Sequence, residues 1–155
     1  MNDSSLLSDL VCVAAERRPE AIALTHGSQH LDYGTLQRSV ESVAHGLMAL
    51  GLQRAERVAV YLDKRPEMVA TCFGSAAAGT VFVPLNPLLK PEQVGYILRD
   101  CGVRLLVTSA DRLALLQPVL AQCPELRHVV VTGDGAVLAA AAWTSTRWQD
   151  FVDAL

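Results

Sequence analysis

Hydrophobic residues recur at helical spacing in the segment that follows residue 33. Apolar side chains repeat at intervals of three and four positions, at Leu36, Val40, Val43, Leu47 and Leu50. This spacing places them on one face of a helix. Asp32 is the predicted N-cap and Gly51 the predicted residue just after the C-cap. We therefore predict an amphipathic helix between these two residues.

The same kind of analysis predicts alternating strands and helices up to residue 132. Short apolar runs predict strands at 57–62, 80–84, 104–108 and 128–132. Helices between them are predicted to begin at Pro66, Lys90 and Ser109. Pro118 is expected to kink the last of these helices. The alternation predicts an α/β fold with a mostly parallel sheet flanked by helices, whose strand order the sequence leaves open.

The two ends of the chain have patterns of their own. Residues 4–18 predict a helix that Ser4 or Ser5 caps and Pro19 ends. Residues 21–33 predict an antiparallel hairpin around a Gly-Ser turn. A last helix is predicted at about 146–155, from apolar residues at helical spacing.

Length and composition fit one globular domain. The chain has 155 residues, of which 51% are hydrophobic and 19% charged, and its mean hydropathy is +0.27. This composition excludes a disordered chain. The longest apolar run, Ala136 to Trp143, is too short for a membrane span. The net charge of −3 comes without a basic stripe, so we expect no nucleic-acid partner.

The cysteine pattern favours a reducing compartment. The four cysteines form no CxxC pair, and each lies among apolar neighbours; they are Cys12, Cys72, Cys101 and Cys123. The first residues are acidic where a signal peptide would be basic. We therefore expect a cytoplasmic protein.

Glycine pairs and histidines give no site for phosphate or metal. Residues 74–79 have the glycine spacing of a phosphate-binding loop, but Thr80 and Val81 replace its lysine and hydroxyl residue. That segment is therefore predicted to allow close packing between helix and sheet. Residues 133–135 lack the third glycine of a dinucleotide fingerprint and predict an exposed turn. His26 and His30 flank a hairpin turn, so exposed histidines are favoured over a metal pair.

One charged loop stands out by its position. Residues 63–65 (Asp-Lys-Arg) follow a buried strand and precede a helix, where open α/β sheets bind ligands. A charged surface loop is the plainer interpretation. No nucleophile motif is present, and the carboxylates are scattered singly. We therefore assign no catalytic, cofactor-binding or metal-binding residue.

Four segments in register resemble motifs of one enzyme superfamily. Residues 31–36 (LDYGTL) resemble L-[TS]-Y-x-E-L, with Thr35 in place of the usual glutamate. Residues 51–60 (GLQRAERVAV) match G-[VL]-x-x-G-D-R-V-A-V, with Ala-Glu in place of Gly-Asp. Residues 77–87 (AAGTVFVPLNP) resemble A-G-x-x-x-V-P-[LI]-[ND]-P, and residues 96–108 resemble Y-I-L-x-D-x-x-A-x-x-[LV]-[IV]-T.

The order and spacing of these segments are similar to those of AMP-forming adenylating enzymes. This superfamily contains acyl-CoA synthetases, peptide-synthetase adenylation domains and beetle luciferases. Residues 63–67 (DKRPE) together with residues 86–90 (NPLLK) most resemble acyl-CoA ligases associated with exosortase systems.

The resemblance implies a part of a larger ligase. It makes residues 1–155 an incomplete N-terminal subdomain of an enzyme that joins a carboxylic acid to AMP and then passes the acyl group to CoA. ATP, Mg²⁺, CoA and the acid are the implied ligands of that parent enzyme, and no tight binding of them to this chain is expected. The family's glycine-rich ATP loop does not occur here, since residues 144–146 (TST) lack its glycine and lysine. We therefore expect the chain alone to be inactive.

Two other hypotheses remain open at this point. The chain could be a non-catalytic α/β interaction module or shortened paralogue, or a small nucleotide- or flavin-binding domain. On the leading hypothesis its partner is the remainder of its own chain. The apolar surplus then predicts that the isolated chain associates with itself.

Overall fold

A computed structural model describes residues 6–135, 137–138 and 140–154. The helices are α1 (Asp9–Arg17), α2 (Tyr33–Ala49), α3 (Pro66–Ala77), α4 (Pro91–Asp100), α5 (Ala110–Leu120) and α6 (Trp148–Val152). The strands are β1 (Ile22–His26), β2 (Gln29–Asp32), β3 (Arg57–Tyr61), β4 (Val81–Pro84), β5 (Val103–Ser109), β6 (His128–Thr132) and β7 (Thr144–Arg147).

The strands form a five-stranded sheet and a separate hairpin. The order in the large sheet is β4-β3-β5-β6-β7, and every pair in it is parallel. Strands β1 and β2 pair antiparallel around Gly27, whose φ of +60° suits a tight turn. The predicted α/β class, parallel sheet and hairpin are confirmed.

The chain direction explains which face of the sheet each helix covers. The connection from β3 to β4 runs one way along the sheet, and the next two connections run the opposite way. Because such crossovers are right-handed, α3 lies on one face and α4 and α5 on the other. Helices α2 and α6 cover the α3 face, in a core that includes Val43, Leu105 and Phe151. Leu98, Leu106 and Leu116 belong to the core on the opposite face, so the sheet is buried on both sides.

Helix α2 has the caps that its sequence predicts. The Asp32 carboxylate accepts a hydrogen bond of 2.7 Å from the Thr35 backbone N–H at the first turn. At the other end, Gly51 has a φ of +80°. Its N–H donates to the Met48 carbonyl, and the Leu52 N–H donates to the Leu47 carbonyl. These two bonds form a Schellman motif and end the helix.

Helices α2 and α3 pack closely because of one glycine. A Cβ at Gly74 would lie 2.5 Å from the Cγ1 of Val43 on α2. The packing interpretation of residues 74–79 is therefore confirmed, but the close contact is with a helix rather than with the sheet. Gly79 then turns the chain toward β4 with a φ of +76°.

Two predicted helices are present with shorter bounds than the sequence suggested. Helix α1 begins at Asp9, because the Asp9 carboxylate holds the Leu6 N–H at 3.0 Å in a turn ahead of the helix. The predicted caps Ser4 and Ser5 lie outside the described residues. At the other end, residues 144–147 form strand β7 alongside β6, so α6 begins only at Trp148.

Two of the three helix prolines lie where a helix tolerates them. Pro66 and Pro91 are in the first turns of α3 and α4. Pro118 lies in the last turn of α5, which continues only to Leu120. Ser109 occupies the N-cap position of α5, although its side chain makes no capping hydrogen bond. Among the described helices, none is long and apolar enough to cross a membrane.

Candidate functional site

The carboxyl ends of three neighbouring strands meet at one edge of the sheet. Strand β3 leads into residues 62–65, β4 leads into residues 85–90, and β5 leads directly into α5. The chain reverses its direction along the sheet between β3 and β5, and open α/β sheets bind ligands at such points. The predicted loop at residues 63–65 therefore lies at the favoured position.

Arg112 joins these three segments at the carboxyl edge. Its guanidinium donates to an Asp63 carboxylate oxygen at 2.7 Å and to the Pro87 carbonyl at 3.0 Å. The same group lies 4.5 Å from the centre of the Tyr61 ring. The Asp63 side chain is 78% exposed, so the ion pair alone stabilises little. The stacked ring and the carbonyl fix the guanidinium in place.

The loop at residues 85–90 is held in one conformation. The Tyr61 hydroxyl donates to the Leu89 carbonyl at 2.6 Å. Inside the loop, the Asn86 side-chain oxygen accepts a hydrogen bond of 2.9 Å from the Leu88 N–H. Leu88, between these fixed points, is 87% exposed. The loop thus presents a large apolar side chain to its surroundings from an ordered support.

Two apolar grooves flank the loop at residues 62–65. One has a volume of about 530 Å³ and lies between Leu62, Met68 and the loop at residues 85–88. The other, about 300 Å³, lies between the hairpin and the start of α3. Lys64 and Met68 line both grooves. We call the two together the carboxyl-edge grooves.

The charged groups beside these grooves differ in whether they have a partner within the described residues. Arg65 makes two hydrogen bonds of 2.9 Å to the Glu67 carboxylate. Lys64 is exposed and has no ion pair or hydrogen bond within the described part of the chain. An apolar groove with an ammonium at its rim suits a ligand or chain segment that is mainly apolar and carries a negative group.

The other sequence candidates lie on the hairpin surface and in a bend after β6. The His30 imidazole lies 2.9 Å from the Thr25 hydroxyl across the hairpin, and both His26 and His30 are exposed. In the described ranges, no three His, Cys, Asp or Glu side chains could share a metal ion. Residues 133–135 form a bend after β6, with a φ of +81° at Gly133.

The perturbed pKa values also point to structure rather than to chemistry. Burial raises the pKa of the Cys72 thiol to about 11, which leaves it protonated and unreactive at neutral pH. Hydrogen bonds from Thr35 lower the pKa of Asp32, and a hydrogen bond from the Ser109 side chain lowers that of Asp111. The two carboxylates lie at the starts of α2 and α5, where negative charge is favourable.

Sequence reasoning missed Arg112 and Tyr61. Arg112 is 49 positions from Asp63 and 25 from Pro87, so no local motif joins them. Only the parallel pairing of β3 with β5 brings the loop that contains Asp63 close to Arg112. The one available signal was the position of Asp63 after a buried strand.

Comparison with known proteins identifies the family. Residues 12–153, nearly the whole chain, match the family described as AMP-binding enzyme. The chain belongs to the AMP-binding enzyme family. The 3-hydroxybenzoate–CoA ligase of Aromatoleum sp. (strain CIB) is 35% identical to it over 111 residues, which are 72% of this chain and 21% of that enzyme. Malpinin synthetase of Mortierella alpina is 34% identical over 114 residues, which are 73% of this chain and 2% of the synthetase.

Solved structures have the same fold. The anthranilate CoA ligase AuaEII in complex with anthranoyl-AMP superposes with a TM-score of 0.85 at 26% identity, over 95% of this chain and 27% of that one. A benzoate CoA ligase from Burkholderia xenovorans LB400 superposes with a TM-score of 0.81 at 20% identity, over 96% of this chain and 28% of that one. The chain therefore spans about a quarter of the length of these ligases.

Membership of the AMP-binding enzyme family bears on the earlier hypotheses. All four segments that carry the resemblance lie within the matched residues, so that resemblance is confirmed. A small flavin-binding domain, the third hypothesis, is set aside. The finer likeness to exosortase-associated ligases stays a prediction.

Proposed function

We propose that this chain is the N-terminal part of an AMP-forming acid–thiol ligase. Such an enzyme converts a carboxylic acid and ATP into an acyl adenylate and pyrophosphate. It then transfers the acyl group to CoA and releases AMP. The match over residues 12–153 carries this proposal. It is supported by CoA ligases among the relatives and by their greater length.

The substrate class of the parent enzyme is an organic acid whose identity stays open. Relatives named for 3-hydroxybenzoate and for crotonobetaine and carnitine are both about a third identical to this chain. The sequence therefore does not separate aromatic from aliphatic acids. Because the four cysteines are unpaired, we propose a reducing compartment, the cytoplasm, for the protein.

The residues present do not fit ATP or Mg²⁺. The glycine pair at residues 74–79 leads from a helix into a strand, so its amides do not surround a phosphate at a helix N-terminus. The Gly74 position is filled by α2. We therefore propose that ATP, Mg²⁺ and CoA bind the remainder of the parent enzyme, and that this chain supplies no catalytic residue.

The carboxyl edge is the part of this chain that we place nearest the rest of the ligase. Ligands of open α/β sheets bind outside the carboxyl ends of the strands. At this edge Leu88 is exposed on a fixed loop, and the carboxyl-edge grooves are lined mainly by apolar side chains. An exposed apolar surface of this kind is typical of an interface with another part of a protein. We propose that the remainder of the ligase covers Leu88.

Acid-dependent exchange between ATP and radioactive pyrophosphate tests the proposal. The intact reading frame that contains this chain should catalyse exchange with a panel of aromatic and aliphatic acids. The 155-residue chain alone should give no exchange above background. Exchange by the chain alone would contradict the proposed division of the enzyme. A stop codon directly after residue 155 would instead favour the alternative, a shortened non-catalytic paralogue.

A further inference from the structure

The loop at residues 85–90 is fixed to the rest of the chain at both of its ends. The Leu85 N–H donates to the Val60 carbonyl of β3 at 2.9 Å. Leu85 itself is buried, with 4% of its surface exposed. At the other end, the Lys90 N–H donates to the Gln93 side-chain oxygen at 2.9 Å, at the start of α4. The two ends of the loop are therefore ordered by its neighbours in the chain.

Two further side chains hold the middle of the loop. The Arg112 guanidinium donates to the Pro87 carbonyl at 3.0 Å. The Tyr61 hydroxyl donates to the Leu89 carbonyl at 2.6 Å. Arg112 and Tyr61 thus fix the backbone directly before and directly after Leu88.

Arg112 and Tyr61 are themselves held in place. The guanidinium lies 4.5 Å from the centre of the Tyr61 ring and donates to Asp63 at 2.7 Å. Tyr61 is 6% exposed, and its carbonyl accepts a hydrogen bond of 2.8 Å from the Thr108 hydroxyl on β5. A planar guanidinium that is stacked and hydrogen-bonded on two sides has little freedom left. The support under the loop is therefore rigid.

This rigid support adds little to the core of the chain. Leu88 is 87% exposed, so it buries almost no apolar surface within the described residues. Ordering a loop costs conformational entropy, and surface loops are usually the more mobile parts of a fold. A loop that is ordered beforehand binds a partner at a smaller entropic cost. A fixed backbone beneath an exposed leucine therefore fits a contact made outside this chain.

The observations favour the remainder of the ligase as that contact, so the inference rests on the proposed function. The chain spans 27% of the anthranilate CoA ligase that has the same fold. The loop at residues 85–90 lies inside the matched region, residues 12–153. It also lies at the carboxyl edge, where open α/β sheets bind their ligands.

We infer that Arg112 and Tyr61 are positioning residues of the proposed ligase. They act through the loop at residues 85–90, which they hold in the conformation where Leu88 meets the remainder of the enzyme. Neither residue needs to touch a substrate for this role. Without them the loop has more conformations, and fewer enzyme molecules have the contact formed at any time.

Pyrophosphate exchange by the intact ligase, expressed per folded molecule, tests this role. Arg112→Ala should lower exchange at least about fivefold, because small displacements far from the reacting groups reduce rates strongly. Tyr61→Phe removes the hydroxyl but keeps the ring under the guanidinium. This variant should therefore lower exchange by about two- to threefold, as expected for one hydrogen bond.

The chain offers a matched control for each variant. Arg104 lies at the opposite end of β5 and pairs with Glu56 at 3.1 Å and with Glu125 at 2.7 Å. Tyr96 is 63% exposed on α4. Arg104→Ala and Tyr96→Phe should both keep wild-type exchange per folded molecule.

A double variant separates positioning from a purely structural role. The Leu88→Ala enzyme lacks the side chain that the loop presents. If Arg112 acts through Leu88, adding Arg112→Ala to this enzyme should lower exchange by less than about twofold further. An unrelated structural defect would instead multiply with the loss caused by Leu88→Ala.

Three results would overturn the positioning role. They are wild-type exchange in folded Arg112→Ala, an equal loss in Arg104→Ala, and losses that multiply fully in the double variant. If Arg112→Ala does not fold, Tyr61→Phe decides, both alone and combined with Leu88→Ala. A wild-type ligase without exchange for any acid would overturn the proposed function and the positioning role with it. Wild-type exchange that neither variant changes would remove the positioning role alone.

Discussion

The two edges of the parallel sheet use their charged residues differently. At the amino edge, Arg57 donates to the carbonyls of Cys101 and Gly102 at the end of α4. Arg104 pairs with Glu56 at 3.1 Å and with Glu125 at 2.7 Å. Cations at a helix C-terminus also oppose the negative end of the helix dipole. These side chains link separate segments of the chain to one another.

At the carboxyl edge, by contrast, two side chains are exposed to solvent. Arg112 fixes the loops there, but Lys64 has no partner among the described residues, and Leu88 is exposed. The carboxyl-edge grooves lie around these two side chains. We therefore expect substitutions at the amino edge to change the stability of the fold, and substitutions at the carboxyl edge to change the activity of the proposed ligase.

The largest effect is expected from Arg57→Ala at the amino edge. The variant leaves the carbonyls of Cys101, Gly102 and Ala55 without their charged donor. We expect a loss of about 2–3 kcal/mol in the free energy of unfolding, measured by urea denaturation. Arg54 is an exposed residue in the preceding loop. Arg54→Ala is the control and should change the free energy of unfolding by less than about 0.5 kcal/mol. Equal losses in the two variants would remove the special role of Arg57.

Leu88→Asp tests the carboxyl edge through function. Leu88 is 87% exposed in this chain. The free energy of unfolding of the variant should therefore lie within about 0.5 kcal/mol of the wild-type value. In the intact ligase it should lower pyrophosphate exchange at least about tenfold, since it would bury a charge against the remainder of the enzyme. Leu115→Asp, at another exposed leucine, should leave exchange unchanged. A stability loss without a specific loss of exchange would contradict the proposed interface.

Arg112→Ala is expected to have a moderate effect on stability, because Arg112 joins three segments at the carboxyl edge. Its removal should cost about 1 kcal/mol through the lost Pro87 contact and ring stacking. Amide hydrogen exchange should rise in residues 85–90 in particular. Asp63→Asn should cost less than about 0.5 kcal/mol, because that carboxylate is mostly exposed. A larger effect from Asp63 than from Arg112 would reverse this ranking.

The smallest expected effect is a pH dependence from His128 at the amino edge. Burial lowers the pKa of this imidazole below its ordinary value of 6.5. The folded state therefore favours the neutral imidazole. The contribution of His128 to the free energy of unfolding is fully present above pH 6.5. It is lost as pH falls toward the folded-state pKa, because the unfolded chain binds the proton more readily.

Urea denaturation at about pH 7.5 and about pH 5.5, on either side of the ordinary histidine pKa, measures this contribution. His128→Asn, which can keep a contact with the Thr144 hydroxyl 2.8 Å away, should show a smaller loss of stability on acidification. His45→Asn, an exposed histidine on α2, is the control and should behave like the wild type. An unchanged pH dependence in His128→Asn would show that other groups cause it.

Local patterns predicted the repeated units but not their assembly. The caps Asp32 and Gly51 act within a few residues of themselves, so the sequence shows both directly. Strand β7 escaped prediction because its residues are mostly polar and only its pairing with β6 makes it a strand. The order of the strands is a property of the whole chain, and no single segment encodes it.

The candidate site was predictable only in outline. The position of Asp63 after a buried strand indicated the correct edge of the sheet. Its contact with Arg112 depends on the neighbouring positions of β3 and β5, which the sequence left open. The exposure of Leu88 also follows from the fold, since a leucine between apolar neighbours resembles a core residue until the loop is built.

Acid-dependent pyrophosphate exchange, expressed per folded molecule of the intact ligase, tests the division between the two edges most directly. Compared at a temperature where both are folded, the Arg57→Ala enzyme should retain nearly wild-type exchange. The Leu88→Asp enzyme should retain less than about a tenth. The opposite order, or wild-type exchange in both, would contradict the account.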